Sequence, residues 1–458
     1  MRKSINTTVV CALLAAPPVF AQDSGADAKS AQDLAEGFVE GSKAKLTFRN
    51  YFTQQKAQRS TTFSIKKSWG SEATDDRTTW IQAAMLDYRS GYTQGLIGVG
   101  VDASIWGATN LERGKGSAAA GSGGDRTLLE NDGTPVDEWS RLAIADVRLR
   151  VSNTALKVGR FAVSNPMLRP KDNRSLPSTF EGADLISNDI ENVTLQAGYI
   201  SRMLPRTGSD TERFVSTFGT KQYSSDGIKY AGLTTKPWHG LSASVYTSRL
   251  ENVWDRHYLG LTHVSALSQD IQWKNSLNIY KTKDQGSREL GYIDGTIASL
   301  NTTLTKGAHS FSLAYQQNFA NEYFDYPWET SANFNPISFY SDFNGPNEKA
   351  ASAKYDLDFA AYGVPGLTTS VWYAKGWDID GTHYDGDRNG AHLGYNVRQL
   401  DGAKHWEAGL MASYVVQSGK LKDSSIRSII FHHRGDPGQI DGSYDELRLI
   451  ATAPFTLF

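Results

Sequence analysis

From Lys43 onward the chain is built of stretches in which apolar and polar residues alternate one for one. The segment "IADVRLRVS", residues 144–152, is representative: Val147, Leu149 and Val151 hold one register, Asp146, Arg148 and Arg150 the other. The same period of two runs through "KAKLTFRNYF", "WIQAAMLDY", "GLIGVGVDAS", "VTLQAGYI", "LSASVYTS", "IQWKNSLNIY", "TIASLNTTL", "HSFSLAYQQ", "LTTSVWYA", "GLMASYVVQS" and "ELRLIATA". Such alternation predicts strands with two unlike faces, and the Gly, Asp, Asn and Pro clusters between them predict turns. Sustained helical periodicity is scarce, so the chain reads as all-β.

Alternation alone does not separate a soluble sandwich, which buries the apolar register, from a membrane barrel, which gives it to lipid. Three features favour the barrel. Connections fall into two classes, tight ones such as "YRSGYTQG" and "QSGKLKDSS" against a long one at 107–138, as expected when short turns gather at one rim and long loops at the other. Tyr51, Trp80, Tyr88, Trp106, Trp238, Trp273, Tyr280, Trp372 and Tyr373 lie near segment ends, where interfacial girdles are expected. The chain also ends in an aromatic, "PFTLF", although Pro454 and Thr456 share its phase.

Composition then narrows the setting. Two basic residues, an apolar run and "VFA" predict a signal peptide over 1–21, followed by a short segment, 22–36, and a single barrel domain over 37–458. The one cysteine, Cys11, falls inside the leader, so disulfide and thiol chemistry are excluded from the mature chain. No later run of eighteen apolar residues predicts a membrane-spanning helix. A net charge of −2 argues against nucleic-acid binding through bulk charge. With roughly 9 to 11 residues per crossing, 458 residues accommodate about 16 to 18 strands, enough to enclose an aqueous channel.

The stretches "GFVEGSKAKLTFRNYF", "LDYRSGYTQG", "SRLAIADVRLRVSNTALKVG", "LRPKDNRSLPSTFEGADLIS", "YGVPGLTTSVWYAKG", "YVVQSGKLKDSSIR" and "DELRLIATAP", in this order, resemble the OprD-like substrate-selective porins of Gram-negative bacteria. The resemblance spans Gly37 to the C-terminus. It implies a transmembrane antiparallel β-barrel of eighteen strands in the outer membrane, monomeric or a loose homotrimer, surrounded by lipid and lipopolysaccharide. It further implies long extracellular loops folded inward to a constriction, a ladder of basic residues along one wall, and passive uptake of small carboxylate-bearing solutes such as amino acids or aromatic acids, with no cofactor.

An arginine on the lipid face costs roughly 2 to 4 kcal/mol near the midplane, so Arg148 and Arg150 are expected in the lumen as successive rungs for a carboxylate. By the same parity Arg49 in "LTFRNYF", Arg427 in "SIRSII" and Arg448 in "ELRLIA" are candidate substrate-binding residues. The segment "LRPKDNRSLPSTFEG" resembles the constriction loop, which adds Arg169, Lys171, Asp172 and Arg174, with Pro170 and Pro177 as stiffeners. Two positions depart from the resemblance: Trp372 and Ile429 stand where it implies basic residues, which thins the ladder. "YFDYPWETSANFNPISFY", residues 323–340, resembles the second inward loop; its aromatics are expected to pack the loop on the wall, the alternative being to stack on a flat substrate. No catalytic or metal-binding residue is expected. Adjacent His432 and His433 point oppositely on a strand, "GATNLERGKGS" lacks phosphate-loop spacing, and "DGDRNG" lacks the glutamate and flanking helices of a calcium loop. The alternatives are a barrel-borne outer-membrane hydrolase, a soluble β-rich periplasmic binding protein, and an energised transporter, which needs a plug domain before the first strand.

Overall fold

The computed structural model describes residues 29–67, 70–112, 128, 136–218, 224–331, 334–384 and 397–458; the expected signal peptide and "DGDRNG" lie outside them. The alternating segments form strands: β1 (Lys43–Ala57), β4 (Asp76–Arg89), β5 (Gly98–Asn110), β6 (Glu138–Val151), β7 (Thr154–Phe161), β8 (Thr179–Ser187), β9 (Val193–Leu204) and β10 (Ile228–Thr235) make the first half. The second half comprises β11 (Leu241–Leu250), β12 (Trp254–Ala266), β13 (Ile271–Asp284), β14 (Asp294–Lys306), β15 (His309–Asn318), β16 (Lys349–Asp358), β17 (Leu367–Ile379), β18 (Ala403–Val415), β19 (Ser425–Gly435) and β20 (Tyr444–Thr456). A small hairpin, β2 (Phe63–Lys67) with β3 (Gly70–Thr74), rises between β1 and β4.

Each long strand pairs antiparallel with its chain neighbours, and β20 returns to β1 from Lys45↔Thr456 to Ala57↔Tyr444. The result is a closed barrel of eighteen strands. Closure satisfies every strand edge, the condition for crossing a bilayer with β-structure. No described helix is long and apolar enough to do so.

The alternation now has a direction. Val147, Leu149 and Val151 are exposed on the outer wall while Arg148, between them, is 1% exposed. Phe48, Leu86, Leu259, Leu300, Leu313, Val371, Leu410 and Ile430 continue the apolar belt on other strands. Trp80, Trp238, Trp273 and Tyr373 are outward girdle residues, but Tyr51, Trp106, Tyr280 and Trp372 are buried, which corrects the expectation for those four. They stand in the inward register, where polar handles find partners inside the barrel: the Trp106 indole donates to Asp87 (2.9 Å) and the Tyr280 hydroxyl to the Pro166 carbonyl (3.1 Å).

Turns are short at one rim, such as 152–153 and 307–308, and long at the other, where described residues of the 162–178, 205–227 and 319–348 connections enter the lumen. These three loops bury an apolar cluster against β8 to β14: Met167, Leu168, Phe214 and Phe324 meet Phe180, Tyr246, Tyr258 and Tyr280. That side of the lumen is filled.

Candidate functional site

The three strands β19, β20 and β1, adjacent across the closure, each turn an arginine inward. Arg427 lies opposite Ile450, Arg448 opposite Ile429 and Arg49 opposite Thr452, so the guanidinium groups stand side by side on one wall. Arg49 forms an ion pair with Asp172 of the 162–178 loop and donates to the Arg174 carbonyl at 3.2 Å. Arg448 is held by Glu446, with Nε 2.6 Å from Oε1, donates to the Asn173 carbonyl at 3.4 Å, and lies 4.9 Å from the Tyr340 ring. Arg427 is different. Among the described residues it has no hydrogen-bond or ion-pair partner, its Nε is buried, and Arg448, Arg49 and Asp172 are its charged neighbours. The tip of the loop therefore reaches the basic wall at Asp172–Arg174 and narrows the path there.

The loop is held from behind. Pro170 bridges to Thr330, and the Arg169 and Pro170 carbonyls accept from Ser331 (3.1 and 2.8 Å). The Arg169 guanidinium sits 4.9 Å from the Phe334 ring. Arg206 of the 205–227 loop grips Glu329 of the 319–348 loop with two hydrogen bonds (2.7 and 3.1 Å) and reaches Asn173 as well. Burial alone would raise the Glu329 carboxyl, but Arg206, Arg174 and Lys171 outweigh it and hold it at about 2. Lys171 is pushed down to about 8 by burial and by the positive charge of Arg206 and Arg174, against the pull of Asp342 and Glu329.

Arg148 and Arg150 stand elsewhere, at the short-turn rim. Arg148 pairs with Asp102 (3.0 Å) and donates to the Ser90 carbonyl (2.6 Å); Arg150 donates to Gln32 (2.9 Å). Both guanidinium groups converge on one ring, Tyr92, at 4.4 and 3.9 Å. Arg148 lies flat on the wall because position 100 is glycine: a Cβ there would sit 2.9 Å from its Nη2. Beside them a cavity of about 290 Å³ is lined by Lys43, Lys45, Arg89 and Lys157 together with Asp87, Asp102 and Asp146. The sequence parity thus brings five arginines inside the barrel but into two groups, one at the constriction and one at the mouth.

The aromatics of 323–340 pack. Tyr323 stacks on Phe218 (4.6 Å), Tyr340 on Phe431 (4.4 Å) and Phe339 on Trp372 (5.6 Å). Trp372 and Ile429, which replace expected basic residues, form the pad beneath Phe339 and Tyr340. The ladder is thinned there because the wall carries a loop at that point.

Residues 36–457 match the family described as outer membrane porin, OprD family. The chain belongs to this family. It is a substrate-specific channel of the bacterial outer membrane and not an enzyme. It is 36% identical to Porin D of Pseudomonas aeruginosa over 93% of this chain and 94% of that one. Its fold is similar to the crystal structure of Pseudomonas aeruginosa OccD3 (OpdP), with a TM-score of 0.81 and 44% identity over 94% of this chain and 95% of that one. It is also similar to Pseudomonas aeruginosa OpdK with vanillate, with a TM-score of 0.78 and 26% identity over 92% of this chain and all of that one.

Several residues of this porin's constriction escape a reading by motif. Arg206 and Glu329 lie in loops, where no period marks a facing direction. Glu446 was within reach, because it shares the inward register of Arg448 two residues on.

Proposed function

We propose that this porin passes small carboxylate-bearing solutes, and that Arg427, with Arg49 and Arg448 beside it, is the carboxylate-binding rung of the constriction. The observation that carries the reading is the unpartnered guanidinium of Arg427 on a wall where Arg49 and Arg448 each already hold an acidic partner. A fixed cation in a wet, narrow path attracts anions and excludes cations, and a guanidinium with free donors exchanges hydration for bidentate bonds to a carboxylate. Lys171 and Arg174 of the loop extend the positive field toward the long-loop side; Arg148 and Arg150, engaged by Asp102, the Ser90 carbonyl, Gln32 and the Tyr92 ring, serve the exit as field rather than as ligands. Vanillate in the neighbouring OpdK structure is itself a carboxylate, which supports the same substrate class here. Planar-bilayer recording of the purified channel against a panel of carboxylates and matched neutral amides tests this. Carboxylates should interrupt the current and amides should not; equal effects of the two series would reject the proposal.

A further inference from the structure

On the wall formed by β18 and β19, His405 and His433 meet across the strands. His405 Nδ1 lies 2.9 Å from His433 Nε2, both side chains being at most 1% exposed. Proton positions follow from the outer partners. His405 Nε2 faces Glu348 Oε1 at 2.6 Å and His433 Nδ1 faces the Gly442 carbonyl at 2.7 Å. Both partners only accept, so each of these nitrogens carries a hydrogen. The two facing nitrogens then present lone pairs to each other at 2.9 Å; the Gln439 amide donates to His405 Nδ1 from 3.3 Å, which leaves the His433 Nε2 lone pair facing that nitrogen, a contact that a cation between the rings would relieve. A carboxylate oxygen of Asp441, on the loop between β19 and β20, lies within 4.8 Å of both.

We propose that His405, His433 and Asp441 form a binding site for a divalent transition metal ion of the zinc class, with water as fourth ligand. Two imidazoles and a carboxylate are a donor set that zinc accepts, at about 2.0–2.1 Å from nitrogen. Ligands so placed around a tetrahedral ion stand roughly 3.3 Å apart, so the present spacings close with small side-chain shifts. The outer shell is already built: a carboxylate on one histidine and a backbone carbonyl on the other fix tautomer and ring orientation, the usual support of metal-bound histidines. Gly376 on β17 makes room for it, since a Cβ there would stand 1.9 Å from Glu348 Oε1. The face of His405 rests on Phe343 at 4.2 Å, and half-buried Asp441 leaves an approach from solvent. The ion would clasp β18, β19 and the 436–443 loop, beside the point where Ser341 N donates to Glu407 (2.8 Å) and anchors the 319–348 loop.

The test is titration of tag-free, chelator-treated, detergent-folded porin with Zn²⁺ by calorimetry, and with Co²⁺ by visible absorption. One ion per chain is expected, with a tetrahedral cobalt spectrum. Asp441→Asn, at a half-exposed loop position, should weaken binding about 10- to 100-fold, and His433→Ala should abolish it while the variant still shows heat-modifiable mobility. His432→Ala, on the exposed outer face where the ring meets Asp445, should bind as the parent does. Absence of saturable binding, or binding unchanged by both Asp441→Asn and His433→Ala, would overturn the site and leave a proton shared between the rings. Neither outcome bears on Arg427, which plays no part in it.

Discussion

Cutting the tie between Arg206 and Glu329 should loosen the constriction. Both side chains are at most 4% exposed and linked by two hydrogen bonds. Breaking a buried pair by removing one partner costs about 3–5 kcal/mol, because the survivor stays buried and uncompensated. The acidity of Glu329 gives the same scale: moving a carboxyl from 4.5 to about 2 corresponds to about 3 kcal/mol in favour of its ionised form. Glu329→Gln should therefore raise the population of detached loop about a hundredfold. Single-channel recording should register this as frequent high-conductance excursions, with weaker discrimination among solutes. Replacing both residues by Met removes the stranded charge and should restore most of the quiet behaviour. Because the folded carboxyl lies below its unfolded value, the tie is intact above pH 4.5 and is lost as pH falls toward 2. A Glu329→Gln channel with parental conductance and noise would refute the claim that this pair holds the loops.

Raising pH from 7 to 9 should lower anion selectivity, measured as reversal potential in a salt gradient, as Lys171 loses its charge through about 8; Lys171→Arg should flatten that dependence. Arg148→Ala should destabilise the barrel by about 1–3 kcal/mol, since Asp102 and the Ser90 carbonyl lose their donor, and chemical unfolding in detergent measures it. Leu300→Arg, on the lipid face at mid-strand, should cost about 2–4 kcal/mol and lower the yield of heat-modifiable protein.

The period of two predicted the strands; the unequal connections and the aromatic girdle were needed to choose a barrel, and on a closed sheet parity then says which way Val147, Leu149 and Arg148 point. Parity does not say how high a residue stands or what meets it inside. Arg148 and Arg150 look like neighbouring rungs in sequence, yet Tyr92, from the turn before β5, draws both onto one ring. Tyr51 and Tyr280 look like girdle residues, yet inward loops cover them. His432 and His433 do diverge as adjacent strand residues must; the partner of His433 is His405, visible only once β18 and β19 are in register. What was illegible is what loops and cross-strand neighbours contribute, since no local pattern encodes it.

The most direct measurement is carboxylate block of Arg427→Gln in planar bilayers, with Arg150→Gln at the short-turn mouth as comparison. A charged hydrogen bond at the lower end of its range, about 1.5 kcal/mol, corresponds to about a tenfold higher blocking concentration. The account predicts that loss for Arg427→Gln, with reversal potentials shifted toward cations and the barrel still heat-modifiable, and a smaller change for Arg150→Gln. Parental block and anion preference in folded Arg427→Gln, or a larger loss from Arg150→Gln, would contradict it.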